Sequence, residues 1–166
     1  MSKTDSSARP KGPVVALDLG SKSVGVAVSD DLLITISRLN PIKRSSWKHL
    51  LINVRDLIER LDAKTLVIGL PLALDGSRTS AALDVQRLAK NFVRSLHVPV
   101  YLQDERLTSV EATQTLRDAG HSDAEIRKLV DGEAAALILR DFLQSTAMEQ
   151  ETRLLDPNKK DPKETL

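Results

Sequence analysis

The run TLVIGL, Thr65–Leu70, constrains the fold more than any other stretch of this chain. It is apolar without alternation, as expected of a strand covered on both faces rather than one with a wet side. Apolar positions at helical spacing flank it. Leu50, Leu51, Val54, Leu57, Ile58 and Leu61 predict one amphipathic helix, started by Ser45 or Ser46, and Thr79–Leu96 reads as a second. Upstream, VVALDLGSKSVGVAVSD reads as two strands, Val14–Leu19 and Val24–Ser29, joined by a Gly/Ser turn, with a third strand at Leu33–Ser37. Val98–Gln103 is the fifth strand. Ser122-Asp123-Ala124-Glu125 and Thr108-Ser109-Val110-Glu111 are capping boxes that open helices, and a last helix is expected from about Asp131 to Thr146. A meander followed by strand–helix–strand crossovers predicts an α/β fold, a five-stranded mixed sheet flanked by helices. The domain is expected over residues 14–147, between a disordered N-terminal arm (1–13) and a disordered C-terminal tail (148–166).

Composition narrows the function classes. The chain has 166 residues, no cysteine and a formal net charge of +1. Disulfides and thiolate zinc sites are excluded, and a reducing, cytoplasmic setting is the expectation. No apolar run approaches the ~20 residues of a membrane span, so no membrane partner is expected. Two Phe, one Trp and one Tyr are too few for a binder that stacks successive bases on aromatic side chains. The three histidines are scattered and suggest no metal site of their own.

In sheets of this kind, sites gather at the carboxyl ends of the parallel strands. Three acids fall where such a site would form. Asp18 stands near the end of strand one and points away from Leu17 and Leu19. A turn-capping aspartate before glycine is the plain alternative, but an apolar strand does not hold an unpartnered carboxylate cheaply. Asp104 and Glu105 end strand five, and alternation allows only one of them into a given site. Asp131 leads to Ala134, Ala135, Ile138 and Phe142 at helical spacing and so shares the buried stripe of its helix; a helix cap is the other reading of it. Glu133 points elsewhere and ranks as a rim residue or reserve ligand. Converging carboxylates repel unless a cation joins them, and oxygen-only donors select Mg2+ or Mn2+. Two such ions support phosphodiester hydrolysis.

The blocks DLGSKSVGVAVSD, VIGLPLALDGS, QDERLTSVEA and VDGEAAALILRDFL resemble, in order and over roughly Val14 to Leu143, the YqgF/RuvX family. These are RNase H-like proteins known as candidate Holliday junction resolvases and candidate pre-16S rRNA nucleases. The resemblance implies a three-layer RNase H-like fold and a catalytic metal site made by Asp18, Glu105 and Asp131, favouring Glu105 over Asp104. Related resolvases carry an acid on strand four; VIGLP has none, so strand five must supply it. The chain departs from the family pattern where Ser23 replaces the arginine of the first turn, where Ala73 replaces an asparagine, and where SDAEIRKLVD mixes acids into a segment usually rich in Lys and Arg.

Lys22, Arg78, Arg106, Arg127 and Lys128 are the basic residues expected near a bound backbone, with Ser77 and Thr79 as donors to a phosphate. The expected activity is a metal-dependent nuclease, a hydrolase acting on ester bonds. Its partner is nucleic acid, either precursor rRNA whose 5′ end is matured or branched DNA, and the protein is expected to be a monomer or weak homodimer. Two other classes share these features. A nucleotide-binding or phosphotransfer domain also opens with Asp-x-Gly, but needs a second, similar half for which this chain has no room. A catalytically silent binding module would lose nothing on Asp18→Asn.

Overall fold

The structure is a computed structural model. It describes residues 9–73, 75–105, 108–145, 149–150 and 153–156, but not the side chains of 108–112 and 127–132. The elements run β1 (Val14–Leu19), β2 (Ser23–Ser29), β3 (Ile36–Lys43), α1 (Trp47–Leu61), β4 (Thr65–Leu70), α2 (Ser80–Ser95), β5 (Val100–Asp104), α3 (Thr108–Asp118) and α4 (Asp123–Gln144). The sheet order is β3-β2-β1-β4-β5. β1, β4 and β5 are parallel, while β2 and β3 continue the sheet antiparallel. Helices cover both faces, so this is the three-layer, RNase H-like arrangement expected.

Side-chain alternation splits the core into two. Val15, Leu17, Leu66, Ile68 and Val100 pack with Leu50, Val54, Ala89 and Phe92 of α1 and α2. Val14, Ala16, Ala27, Val67 and Tyr101 pack with Ala135, Ile138, Leu139 and Phe142 of α4. An edge-on contact of Trp47 with Phe92, at 4.8 Å between ring centroids, closes the first layer, and a tilted Tyr101–Phe142 pair at 5.0 Å the second. Among the described residues no helix is long and apolar enough to cross a membrane.

Several expected boundaries move. The third strand begins at Ile36, not Leu33. Residues 30–35 form the hairpin turn instead: the Asp30 carboxylate accepts from the N–H groups of Ile34 (2.6 Å) and Thr35 (2.8 Å), and Leu33 is left-handed at φ 61°. The strand then runs through Pro41, which the outer edge of a sheet tolerates. Strand five starts at Val100: Pro99 has no N–H to give to a ladder, although its carbonyl still accepts from Leu66 N–H of β4. The last helix begins at Asp123, not Asp131. Ser122 caps it, accepting from Glu125 N–H while the Glu125 carboxylate accepts from Ser122 N–H. The matching side chains of Thr108 and Glu111 lie outside the described residues.

Both termini pack further than expected. In the stretch read as a disordered arm, Pro10 is buried, Lys11 C=O accepts from the Thr65 hydroxyl and Pro13 C=O from Lys64 N–H. In the stretch read as a disordered tail, Gln150 is buried and its amide donates to Phe142 C=O near the end of α4, which also accepts from Ser145 N–H. Leu154 pairs antiparallel with Tyr101, and Leu155 N–H donates to Val100 C=O. Leu154 and Leu155 thus occupy the open edge of β5, whose backbone groups would otherwise lack strand partners.

Candidate active site

The site builds from the turn after β1. Gly20 N–H donates back to Asp18 C=O at 3.0 Å, and a Cβ on Gly20 would stand 2.6 Å from Ser23 C=O, so only glycine permits this turn. Just past β3, Arg44 ties the turn down: its guanidinium donates to Gly20 C=O at 2.8 Å and its N–H to Lys22 C=O at 3.0 Å. Asp18 is thereby held at the end of β1 on the α4 side of the sheet. Gly25 of β2 lies opposite it, and the register Leu17↔Ile68 brings Gly69 of β4 level with it on the other flank.

Gly69 pairs in turn with Gln103 of β5. Glu105 follows β5 by one residue, its N–H donating to Leu70 C=O at 3.1 Å. Its side chain lies over Gly69: a Cβ there would come within 2.6 Å of Glu105 Oε2 and would also overlap the end of Ile138. The missing side chain on β4 is therefore the space through which the β5 acid reaches β1. Glu105 is only 8 % exposed and hydrogen-bonds Asp18. Burial pushes its carboxyl up to about 8, and the negative charge of Asp18, the hydrogen bond with Asp18 and the charge of Asp104 act in the same direction. All of these causes favour the protonated form of Glu105 beside the Asp18 carboxylate. Its Oε2 is buried with no partner among the described residues, as is Oε1 of the neighbouring Gln103.

The sequence-predicted residues separate as follows. Asp18 and Glu105 come together; Asp104, half-buried, is on the opposite side of the strand. Position 131 lies in the third turn of a continuous α4, which excludes a helix cap, and the stripe it shares with Ala135, Ile138 and Phe142 is the one that faces the sheet. The Asp131 side chain lies outside the described residues, as do Arg106 and the side chains of Arg127 and Lys128. Glu133, ranked as a rim residue or reserve ligand, has its carboxylate held by Arg38 of β3 at 2.5 Å. Lys22 and Arg78 are exposed in the loops after β1 and β4, at the site end of the sheet. Thr79 is already committed, its hydroxyl donating to Pro71 C=O and accepting from Ala82 N–H as the cap of α2. Ser77 N–H donates to the Asp75 carboxylate. Gly69, Gln103 and Arg44 were missed by sequence reasoning. The glycine inside VIGLP was the only local signal for any of them.

Among the described residues no three His, Asp or Glu side chains gather to hold a metal. The described pair nevertheless fits a hard cation. Two carboxyls meet with only oxygen donors, one oxygen lacks a partner, and a proton offsets the repulsion that a cation would otherwise relieve.

Comparison with known proteins places these features in a family. The family model described as RuvX, Holliday junction resolvase, matches residues 12–145. A Koribacter versatilis protein named "Putative pre-16S rRNA nuclease" is 36% identical over 86% of this chain and 94% of its own. Proteins of the same name from Lactobacillus johnsonii (38%; 80% of this chain, 96% of that one) and Zymomonas mobilis (40%; 83% and 84%) are similar to it as well. Among solved structures, Thermus thermophilus RuvC in complex with Holliday junction substrate is 17% identical over 86% of this chain and 98% of that one, with a TM-score of 0.48, too distant to assign residues. A model match across the whole five-stranded sheet and α4, with relatives above 30% identity over most of both chains, shows that this chain belongs to the RuvX family.

Proposed function

We propose that the chain is a metal-dependent nuclease that hydrolyses phosphodiester bonds of structured nucleic acid. Asp18, Glu105 and Asp131 hold Mg2+ or Mn2+, and maturation of the 5′ end of precursor 16S rRNA is the preferred role. The observation that carries this reading is the Asp18–Glu105 pair: two acids from separate strands, joined over a glycine, one of them buried, its carboxyl pushed up by burial and by Asp18, with an oxygen that has no partner among the described residues. The names of the relatives support the rRNA role.

A cation bound there supplies Lewis acidity for hydrolysis. The chain's own part is positional. The turn held by Arg44 fixes Asp18, Gly69 lets Glu105 approach, and Ile138 shields the buried side of the pair. Glu105 gives up its proton when a positive charge replaces it, so both carboxylates become available together. Lys22 and Arg78 stand at the mouth for the substrate backbone.

The description of the family model favours a second reading, resolution of four-way DNA junctions. One assay decides between them: cleavage with manganese of single-stranded RNA, precursor rRNA ends and four-way DNA junctions, comparing wild type with Asp18→Asn. Cleavage of precursor ends by wild type alone is expected. Equal activity in both proteins would sink the catalytic reading, and activity confined to junctions would replace the rRNA role.

A further inference from the structure

From Leu32 to Arg55 the chain carries Arg38, Lys43, Arg44, Lys48 and Arg55 and not one Asp or Glu. The fold sorts these five. Arg38 is spent on Glu133, and Arg55 donates to Ser95 C=O. The other three fall within six residues, at the end of β3 and the start of α1. They join a fourth cation, because Arg44 N–H donates to Lys22 C=O and Lys43 is in register with Ser23. Lys22, Lys43 and Lys48 are exposed, no carboxylate pairs with them among the described residues, and the first turn of α1 has no acid.

This cluster is joined to the site through two hydrogen bonds. Arg44 donates to Gly20 C=O, and Gly20 N–H donates to Asp18 C=O. Ile42 packs into the α1–α2 core, so Lys43 lies on the other side of the sheet, the side of Asp18. From β3 to β1 is two strand spacings, about 10 Å.

We infer that Lys22, Lys43 and Lys48, anchored by Arg44, form a phosphate-binding track that leads the backbone of a nucleic acid from the β3 edge of the sheet to Asp18 and Glu105. The inference rests on the nuclease reading for its ligand. It moves the principal contact surface away from residues 122–131 at the start of α4, where acids interrupt the basic residues, to the acid-free end of β3. The track contacts backbone phosphates and so reads charge, not sequence.

The test is the salt dependence of binding. Fluorescein-labelled four-way DNA junction and hairpin RNA are titrated with full-length protein in chelator, so that nothing is cleaved, across a series of potassium chloride concentrations. The slope of log affinity against log salt counts phosphate contacts. The Lys43→Gln/Lys48→Gln double variant should lower the slope by roughly 1 per lysine, about 2 in all, and raise KM in the manganese assay with kcat near wild type. The Arg60→Gln/Lys64→Gln variant removes the same charge from the far end of the sheet and should leave the slope unchanged. An unchanged slope in the first variant, or an equal drop in the second, overturns the track. Wild-type protein that binds with the lysine-dependent slope yet cleaves nothing with manganese would overturn the nuclease reading and leave the track standing.

Discussion

The two faces of the sheet are built from the same strands, yet they do different work. Toward α1 and α2, β1, β4 and β5 present Val15, Leu17, Leu66, Ile68 and Val100, all 2 % exposed or less. Toward α4 the same strands present Val14, Ala16, Val67 and Tyr101, and then Asp18, Gly69 and Gln103 at their carboxyl ends. One face is large, aliphatic and uncharged throughout. The other packs α4 against Val14, Ala16, Val67 and Tyr101, and it ends in an acid, a gap and an amide. Period-two alternation lets one set of strands keep stability on one side and chemistry on the other.

That contrast can be broken from either side. The largest effect is expected at the polar end of the α4 face. Glu105→Gln should lower manganese-dependent cleavage on the order of 100- to 10,000-fold while the protein still unfolds cooperatively in a circular dichroism melt. Retained cleavage would show that Glu105 only fills space. On the apolar face the effects should invert. Leu66→Ala should cost about 2–5 kcal/mol in urea unfolding, with cleavage per folded molecule preserved well below the melting point.

Gly69→Ala tests the junction of the two functions. The added methyl meets both the Glu105 carboxyl and Ile138, so a stability loss of about 1–3 kcal/mol should accompany weaker manganese binding by calorimetry. A variant that lost neither would remove the reason for a glycine on β4.

The finest effect is on pH. The unfolded Glu105 carboxyl titrates near 4.5 and the folded one near 8. Between those values the folded chain keeps a proton that the unfolded chain has released. The stabilisation is complete below the lower value and is lost as pH rises through the upper one. In chelator, unfolding free energy should therefore fall with rising pH across this window, by at most about 1.4 kcal/mol per pH unit. The Glu105-dependent part of that slope should vanish in Glu105→Gln and shrink when manganese is present; an identical slope in the variant would assign the pH dependence to other groups.

Some of this was legible beforehand and some was not. Helical spacing located α1 and α2 nearly to the residue, because Ser46 and Thr79 cap them as their positions suggest. β3 was misplaced because its turn is made by one aspartate, Asp30, bonding two backbone groups ahead, and because Pro41 reads as a breaker unless the strand is known to be an edge. The packed ends at residues 9–13, 149–150 and 153–156 were hidden for a related reason. Their sequences bury little, and what holds them is backbone pairing with strands far along the chain.

By itself the sequence determined the class of fold, the two-sided burial of β4 and the acids from which a site would be chosen, because periodicity and residue type act locally. Only the tertiary structure decided which of those acids meet. Asp18 and Glu105 are brought together by parallel pairing through β4, and the residue that admits them, Gly69, carries no chemistry of its own. Glu133 looked available until Arg38, nearly a hundred residues earlier, was seen to hold it. Charge behaves the same way. Lys22 and Lys43 are unremarkable apart, and become one surface because β2 sets their two turns side by side. Proximity across a sheet depends on register, and register is a property of the whole fold.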